Sequence, residues 1–352
     1  MVSGEFYDAH AFKIAVGIMI LALLLAGTAG AVTITVNASG NANYTTIQDA
    51  VNAANNGDTI MVDSGTYYEN VLVNKSVTLV GAGEEVTTIQ AFDPGNHVFY
   101  VTSDEVNISG FTVTGATSGY HPVFSAGIFL WANNTRIFDN NISNNLYGIY
   151  IFLGFNNNLT HNFVNSNYYG IYLMLSSNNT IYDNFFNNQN NFRNSGNNTW
   201  NTTKQAGTNI AGGQNLGGNF WAYLSGTGFS LTCADDDLDG ICDNSYTLSS
   251  GNIDYFPLTI PRGYINGSVF GGGNEIFGAI ISTNTGVSTT SDISGLYSIL
   301  VPAGSYNLTA TRDPEYLSNN SVFVTVIPGM TTEQDIELVK KPTGNITGSV
   351  TS

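Results

Sequence analysis

The sequence predicts an all-β protein, in which a parallel β-helix is followed by a small antiparallel β-sandwich. The main observation is a repeat of about 22 residues that occurs three times from Gly127 to Asn191. Its copies read GIFLWANNTRIFDNNISNNLY, GIYIFLGFNNNLTHNFVNSNYY and GIYLMLSSNNTIYDNFFNNQNN. A unit this short cannot bury a core alone, so each copy must pack against the next. The copies contain short alternating runs bounded by Asn and Gly, which indicates stacked strands rather than helices.

Strand alternation within the copies assigns side chains to two faces of one sheet. The predicted inward set is Ile128, Leu130, Ile149, Ile151, Ile171 and Leu173. The predicted outward set is Phe129, Trp131, Tyr150, Phe152, Tyr172 and Met174. Soluble proteins seldom leave such a surface exposed, so two interpretations stay open. Either residues 201–258 or the C-terminal domain cover it, or it is a platform that stacks on sugar rings or docks a neighbouring protein.

The composition is acidic and only sparsely charged. Of the 352 residues, 10% are charged, with 26 acidic against 9 basic side chains and a formal net charge of -17. Nucleic-acid binding depends largely on Lys and Arg that neutralise phosphates, so we expect no nucleic-acid partner. Hydrophobic residues make up 42% of the chain, which excludes intrinsic disorder and leaves room for two domains.

The first 31 residues have the pattern of a signal peptide. An apolar run over residues 14–26 follows Lys13 and precedes Ala29-Gly-Ala, a small-residue cleavage pattern. Glu5 and Asp8 make the segment before the run poor in positive charge, so an uncleaved signal-anchor is the alternative. We expect contact with a membrane only through this segment, if it is uncleaved.

Asparagine is unusually frequent and creates many N-glycosylation sequons. They begin at Asn37, Asn43, Asn74, Asn107, Asn133, Asn141, Asn158, Asn178, Asn197, Asn201, Asn266, Asn307, Asn319 and Asn345. Asn-rich turns create some of these by chance, so we do not expect every one to carry a glycan. Their spread over both halves favours an exported glycoprotein at the surface of a prokaryotic envelope, and their density favours an archaeal one.

The β-helix is predicted over residues 32–261. Ile47, Val51 and Ala54 lie on one face of a short helix, which would cap the open first coil. The segment TIQDAVNAANNGDTI, followed by GTYYENVLVNKSVTLVGAG, resembles the N-terminal part of right-handed β-helix proteins of the pectinesterase and NosD type. The Asn-rich repeats with GIYL resemble those of NosD, a periplasmic copper-binding family. GNFWAY from Gly218 and NIDYFPL from Asn252 resemble the closing segment common in that family.

Residues 262–341 resemble a carboxypeptidase-regulatory-like module, which is a transthyretin-type β-sandwich. The resemblance rests on an opening G-x-I-x-G-x-V, on TSDISGLY from Thr290 and on VPAGSYNLTA from Val301. It implies a non-catalytic spacer or adhesion unit. Residues 342–352 contain GNITGSV, which repeats GYINGSV from Gly263. We interpret this as the start of an incomplete further repeat, either truncated or left to pair with another molecule.

An acidic loop between Cys233 and Cys242 predicts a calcium site. Alternate carboxylates with Gly240 at the sixth loop position follow the first part of an EF-hand-like loop. Tyr246 stands where the twelfth-position Glu would be, so another ligand or water is needed. The alternatives are a solvated acidic loop and, for the cysteines, thiol metal binding instead of one local disulfide. The predicted ligands are Asp235, Asp237, Asp239 and Asp243 with the carbonyl oxygen of Ile241.

Polar columns recur at the same spacing as the repeat. Asp139, His161 and Asp183 would stack as a ladder at a turn, where a solvent-facing structural role competes with acid-base chemistry. Two asparagine columns, predicted to bond along the helix axis, are Asn134, Asn156 and Asn178, and Asn140, Asn162 and Asn184.

The predicted function is an exported, non-enzymatic cell-surface protein. Its β-helix would serve adhesion, envelope assembly or glycan binding, with a cell-surface glycan or an envelope protein as partner. A polysaccharide lyase or esterase is one alternative, but Arg136 and the Asp139 column lie in no pectinesterase-like motif, so no catalytic residue is predicted. The NosD resemblance implies a second alternative, an accessory role in copper-site maturation. Copper sites need clustered imidazole or thioether ligands, but His97, His121 and His161 are scattered in the sequence and only five Met occur. The residues themselves therefore do not support a copper role.

Overall fold

The computed structural model describes residues 30–119 and 124–342. The predicted leader lies almost wholly outside the described residues, and so do His121, Asn345 and the incomplete C-terminal repeat. Within the described ranges, no helix is both long and apolar enough to cross a bilayer. Two compact units are present, one through residues 30–236 and 241–259 and the other through residues 260–342 with residues 237–240.

The first unit is a right-handed parallel β-helix with three parallel sheets, as the repeat predicts. Sheet 1 contains β1 (Thr33–Val36), β2 (Thr59–Val62), β5 (Thr78–Gly81), β8 (Asn107–Ser109), β11 (Arg136–Phe138), β14 (Asn158–Thr160) and β17 (Thr180–Tyr182). Sheet 2 contains β4 (Val71–Val73), β7 (Phe99–Val101), β10 (Ala126–Leu130), β13 (Tyr147–Phe152), β16 (Tyr169–Met174) and β19 (Asn190–Asn194). Sheet 3 contains β3 (Gly65–Tyr68), β6 (Thr87–Gln90), β9 (Thr112–Thr114), β12 (Asn141–Ser143), β15 (Phe163–Asn165), β18 (Phe185–Asn188) and β22 (Phe220–Tyr223).

The chain visits the sheets in the order 1, 3, 2 and returns to sheet 1 one coil later. In the repeat region, Leu159 pairs with Ile181 in sheet 1, which is the 22-residue step seen in the sequence. The preceding coil is longer, because Ile108 pairs with Ile137. The inward set predicted from strand alternation is confirmed: all six side chains are at most 1% exposed and belong to one continuous core.

A short helix, α1 (Ile47–Ala53), packs against the first coil. Thr46 caps it by accepting a hydrogen bond from the amide of Asp49, and Ile47 and Val51 are fully buried. The capping helix predicted from the sequence is therefore confirmed. The C-terminal end is closed by two short hairpin pairs and a helical turn. These are β20 (Gln205–Ala206) with β21 (Asn215–Leu216), β23 (Tyr246–Ser249) with β24 (Asn252–Asp254), and α2 (Phe229–Thr232).

Most corners of the repeat coils share one local feature, which is a residue with left-handed backbone before a buried asparagine. An exception is Asn134, which precedes the buried Thr135. Asp139, His161 and Asp183 have φ between 54° and 55°, and each precedes one rung of the Asn140, Asn162 and Asn184 ladder. Asn and Asp, and to a lesser extent His, tolerate this backbone region better than most residues, which accounts for the residue types in the column. The predicted placement of the column at a turn is confirmed.

Three asparagine ladders run along the corners. In most rungs, the backbone N–H and the side-chain Nδ2 donate to the Oδ1 of the next rung, as for Asn162 and Asn184 at 3.0 and 2.9 Å. The exception is Asn198, whose N–H donates to Asn252 but whose Nδ2 donates to Asn194. The ladders are Asn140, Asn162, Asn184 and Asn219; Asn145, Asn167, Asn188 and Asn191; and Asn157, Asn179, Asn198 and Asn252. They satisfy buried backbone groups where the sheets cannot.

One predicted asparagine column is displaced by a residue. Asn156 and Asn178 are exposed and hold the left-handed backbone, while the bonded ladder at that corner lies on Asn157 and Asn179. The glycines that open the repeat copies leave space for a ladder. A Cβ on Gly148, for example, would come within 2.9 Å of the Asn167 side-chain nitrogen.

The second unit packs two sheets around its own core, as predicted for a β-sandwich. One sheet contains β25 (Arg262–Gly271), β26 (Asn274–Glu275), β29 (Leu296–Pro302), β32 (Thr331–Glu333) and β33 (Ile336–Glu337). The other contains β27 (Ile280–Thr283), β28 (Ser288–Thr290), β30 (Gly304–Thr311) and β31 (Asn319–Val326). The predicted antiparallel β-sandwich is confirmed, and within it the short strands β32 and β33 pair with β25 in parallel.

Candidate functional site: an aromatic face

The outer surface of sheet 2 carries a cluster of aromatic side chains, named here the aromatic face. It consists of the predicted outward set, Phe129, Trp131, Tyr150, Phe152, Tyr172 and Met174, together with Tyr100, Tyr147, Tyr169 and His97. Strand register stacks these residues in columns, because Phe129 pairs with Tyr150 and Tyr150 with Tyr172 on successive strands. The outward placement predicted from alternation is therefore confirmed.

The rings of the central column pack on one another. Ring centroids are 4.9 Å apart for Phe129 and Tyr150 and 4.8 Å apart for Tyr150 and Tyr172. The guanidinium carbon of Arg193 lies 5.1 Å from the Tyr172 ring centroid and ends the column with a cation–π contact. Tyr150 is only 7% exposed, and burial raises the pKa of its phenol to about 12. The flat faces of the central rings are thus mostly occupied by neighbouring side chains.

Trp131 differs from the rest of the face. It follows β10 at the corner between sheets 2 and 1, and its side chain is 51% exposed, although its centroid is 6.4 Å from that of Phe152. A half-exposed indole offers a flat apolar surface with an N–H donor at its edge, which suits contacts with sugar rings or with another protein. The six predicted platform residues are therefore not equivalent.

His97 belongs to the aromatic face and is not predicted from the sequence. Its ring stacks on Phe129 with a centroid distance of 4.4 Å, and its Nδ1 accepts a hydrogen bond from the Ala126 amide at 3.1 Å. Burial lowers the pKa of His97 to about 4, so the ring is neutral at physiological pH. His97 and Tyr100 escape a search at the repeat spacing because their coil is longer than 22 residues. Extending the strand alternation by one step would place Tyr147 and Tyr169 on the inward face with Ile149 and Ile171, so alternation does not find these two members of the aromatic face.

The acidic loop brings part of the predicted calcium set together. Ligand oxygens of Asp235, Asp237 and Asp239 lie within 4.8 Å of one another. The Asp243 carboxylate instead accepts a hydrogen bond from the Asp236 amide at 3.1 Å, and Ile241 is buried in a β-bridge with Leu258. Elsewhere in the described ranges, no other group of three or more such side chains converges in this way.

The backbone of the acidic loop is bent where the sequence predicts. Gly240 has φ of 84° and Leu238 has φ of 57°, so both adopt the left-handed region. Cys233 and Cys242 form a disulfide across the loop, with their Cα atoms 5.6 Å apart. The loop is thus held at both ends while three carboxylates converge between them.

The Asp139, His161 and Asp183 column contains one close pair. His161 Nδ1 lies 2.7 Å from one carboxylate oxygen of Asp183, and the other oxygen accepts the amide of Ile210 at 2.7 Å. Asp183 is 5% exposed, so the expectation of a solvent-facing residue is wrong for this member. Both Asp183 oxygens hold the corner together, which fits a structural role.

Comparisons with known proteins find a periplasmic family and a cell surface glycoprotein that are similar to parts of this chain. Residues 124–226 match the family model described as periplasmic copper-binding protein (NosD). A cell surface glycoprotein of Methanothermus fervidus is 30% identical over 120 residues, which are 34% of this chain and 20% of that protein. The match thus spans one fifth of the relative's length.

Two pectin-active enzymes are among the solved structures that are similar to this chain. Pectin methylesterase from carrot is 17% identical over 46% of this chain and 54% of that chain, with a TM-score of 0.35. Pectate lyase Pel9A is 16% identical over 49% of this chain and 62% of that chain, with a TM-score of 0.36. These likenesses are too weak to bear on activity. The family match and the three parallel sheets together show that residues 124–226 are a NosD-like repeat segment within a right-handed parallel β-helix.

Proposed function

We propose that this protein is an exported, non-enzymatic protein of the cell surface, and that its β-helix binds a cell-surface glycan or an envelope protein through the aromatic face. The observation that supports the proposal most directly is the half-exposed side chain of Trp131, which lies beside aromatic rings that pack on one another. The similarity to a cell surface glycoprotein supports the location. The stacked columns would hold the platform rigid, so little side-chain entropy would be lost on binding.

Replacement of Trp131 by Ala tests the platform. We expect binding to weaken by about 2 kcal/mol, or about 30-fold, since exposed tryptophans at contact sites carry effects of this size. Folding stability should change little because the side chain is half exposed. The measurement is a glycan-array screen of the purified protein, extended to isolated envelope fractions, with and without Ca²⁺. Phe323→Ala is the matched control, because Phe323 is 76% exposed on β31 of the second unit.

Two results would count against the proposal. Binding that survives Trp131→Ala would move the contact to another surface. Turnover of a polysaccharide on the array would replace the proposal with the carbohydrate-enzyme alternative. Tyr150→Ala is a poor probe of binding, because Tyr150 is buried and its loss should reduce stability by about 3–5 kcal/mol.

We propose in addition that the acidic loop binds Ca²⁺ as a structural ion, held by Asp235, Asp237 and Asp239. Three converging carboxylates suit a hard cation, and waters or carbonyl oxygens would complete its shell. The ion would offset the mutual repulsion of these groups. Since Asp243 is bonded to the Asp236 amide, we assign it no place among the direct ligands.

Calcium is expected to raise the free energy of unfolding. At a Ca²⁺ concentration of about 100 times the dissociation constant, the gain should be about 2.7 kcal/mol. The measurement is denaturant unfolding with added Ca²⁺ or with a chelator. Asp237→Asn should abolish the gain, whereas Asp236→Asn, which changes an exposed neighbour outside the converging group, should retain it. Equal responses of the two variants would show that the effect is a general one on surface charge.

A further inference from the structure

The structure divides the sequon asparagines into two classes by the state of their side-chain amides. In ten of the thirteen that lie among the described residues, the amide is bonded within the fold or has a buried oxygen. These are Asn37, Asn43, Asn107, Asn133, Asn141, Asn158, Asn201, Asn266, Asn307 and Asn319. Asn133, for example, donates to Asp104 and accepts from the amide of Phe155. In five of these residues the Nδ2 atom itself donates, so attachment of a sugar there would first have to break a hydrogen bond of the fold. They are Asn37, Asn107, Asn133, Asn201 and Asn319.

The other three, Asn74, Asn178 and Asn197, are exposed, and no side-chain hydrogen bond is found for them within residues 30–119 and 124–342. All three lie at one corner of the β-helix, where the chain passes from sheet 2 to sheet 1. Asn178 and Asn197 occupy successive coils, since the amide of Asn178 donates to the carbonyl of Asn197 at 2.8 Å. The three sequons with accessible, unbonded side chains therefore lie on the same edge of the β-helix.

We propose that this corner is the N-glycosylated edge of the protein, with Asn178 and Asn197 as the principal attachment sites. The co-substrate is an oligosaccharide linked to a polyprenyl phosphate. The side-chain Nδ2 forms a bond to the anomeric carbon while the bond from that carbon to the phosphate oxygen breaks. The polyprenyl phosphate leaves, one amide proton is lost to the leaving phosphate or solvent, and nothing is oxidised or reduced.

The Ser or Thr at the third position of each sequon ranks the three sites by their expected rate of modification. Thr180 and Thr199 follow Asn178 and Asn197, and Thr199 is exposed. Ser76 follows Asn74, and its hydroxyl donates to the carbonyl of Asp104 at 2.7 Å. A transferase that must engage this hydroxyl would first have to break that bond, so Asn74 is the slower site of the three.

Exposed apolar side chains at the same corner give the modification a physical consequence. Leu175 is 55% exposed and Phe155 is 39% exposed on neighbouring turns of this edge. A sugar attached to Asn178 would shield Leu175, which lies three residues before it. The glycan would thus reduce the apolar surface that the corner presents to water.

The inference rests on the proposed surface location, where a chain would meet such a transferase, but its test does not depend on export. The folded protein is incubated with a purified oligosaccharyltransferase that accepts the three-residue sequon and with its lipid-linked sugar donor. Site occupancy over time is measured by mass spectrometry. Synthetic peptides spanning each sequon give the intrinsic rate at that site, and the ratio of peptide to protein rates is the protection factor.

We expect protection factors near one at Asn178 and Asn197. Factors of about tenfold or more are expected at Asn107, Asn133 and Asn319, whose Nδ2 atoms donate hydrogen bonds within the fold, because a local opening free energy of about 1.4 kcal/mol already lowers the rate tenfold. Asn156 is an internal control, since it is exposed at the same corner but is followed by Asn157 and Asn158 rather than by a hydroxyl residue. Asn178→Gln and Asn197→Gln should each remove one site and leave the other modified.

Two outcomes would overturn the inference: strong protection at Asn178 and Asn197, or modification of Asn107 and Asn133 as fast as in their peptides. Neither outcome bears on glycan binding by Trp131, which the array experiment measures separately. Conversely, a protein that binds nothing on the array could still show the predicted pattern of protection.

Discussion

Replacement of Asp254 by Ala is expected to lower the stability of the β-helix unit by about 3–5 kcal/mol at neutral pH. Asp254 is fully buried and ends one asparagine ladder. Its carboxylate accepts hydrogen bonds from the Asn219 amide at 2.8 Å, the Trp221 indole at 2.9 Å and the Phe256 amide at 3.2 Å. Alanine would leave all three donors buried without an acceptor.

Equilibrium unfolding followed by tryptophan fluorescence measures this loss selectively. All three tryptophans of the chain lie in the first unit, so the signal reports the β-helix alone. Glu84→Ala, which removes a partly exposed carboxylate from the same unit, should change stability by less than about 0.5 kcal/mol. A similar small effect of Asp254→Ala would mean that the ladder end contributes little.

The same carboxylate should make stability depend on pH. Burial raises the pKa of Asp254 to about 7, although the hydrogen bonds from Asn219, Trp221 and Phe256 act in the opposite direction. In the unfolded chain the group titrates near 3.8, so between these values only the folded state holds the proton. The extra stability that comes from this proton is complete below pH 3.8 and is lost as the pH rises through about 7, a total of about 4 kcal/mol. The three hydrogen bonds that the carboxyl oxygens accept remain at neutral pH. Asp254→Asn, which cannot ionise, should lack this slope.

The second large effect is expected for Asn162→Asp, with a loss of about 3–5 kcal/mol at pH 7. Asn162 is a middle rung whose Nδ2 donates to the carbonyls of Ile137 at 2.8 Å and Thr160 at 3.0 Å. An aspartate keeps the shape but places a carboxylate oxygen against two carbonyl oxygens. The same unfolding assay measures the loss, which should shrink at acid pH because the protonated side chain can again donate one hydrogen bond.

Asn156→Asp is the matched control for Asn162→Asp. Asn156 lies at the corner that precedes the Asn162 corner in the chain, and its backbone is left-handed, with φ of 58°. Its side chain is exposed, so an aspartate there keeps its solvent contact. We expect a change below about 0.5 kcal/mol. Equal destabilisation by the two substitutions would show that added negative charge, rather than the ladder, controls stability.

The sequence predicts the architecture well because the repeat length and the strand alternation are both local signals. The buried Ile137, Leu159 and Ile181 follow directly from a spacing of 22. The asparagines are harder to assign, since Asn156 and Asn157 carry the same side chain, yet one holds a left-handed turn in solvent and the other a buried ladder. Only the backbone conformation of the corner tells them apart.

The proposed binding surface is only half predictable from the sequence. Alternation places Phe129, Tyr150 and Tyr172 outward, but it cannot show that their rings cover one another and leave Trp131 as the exposed member. That outcome depends on ring orientation across strands. Asp254 could not be singled out either, because a buried carboxylate at the ladder end and a solvated one look identical in sequence.

The ladders also set how this molecule can change in length. A middle rung such as Asn162 donates on one side and accepts on the other, so a duplicated copy of the repeat meets compatible partners at both of its ends. Asp254 has acceptors only, and no further rung can follow it in the same bonding pattern. Duplicated copies of the repeat can therefore be added within the stack but not after Asp254. The β-helix can thus vary in length between relatives while its carboxyl end stays the same.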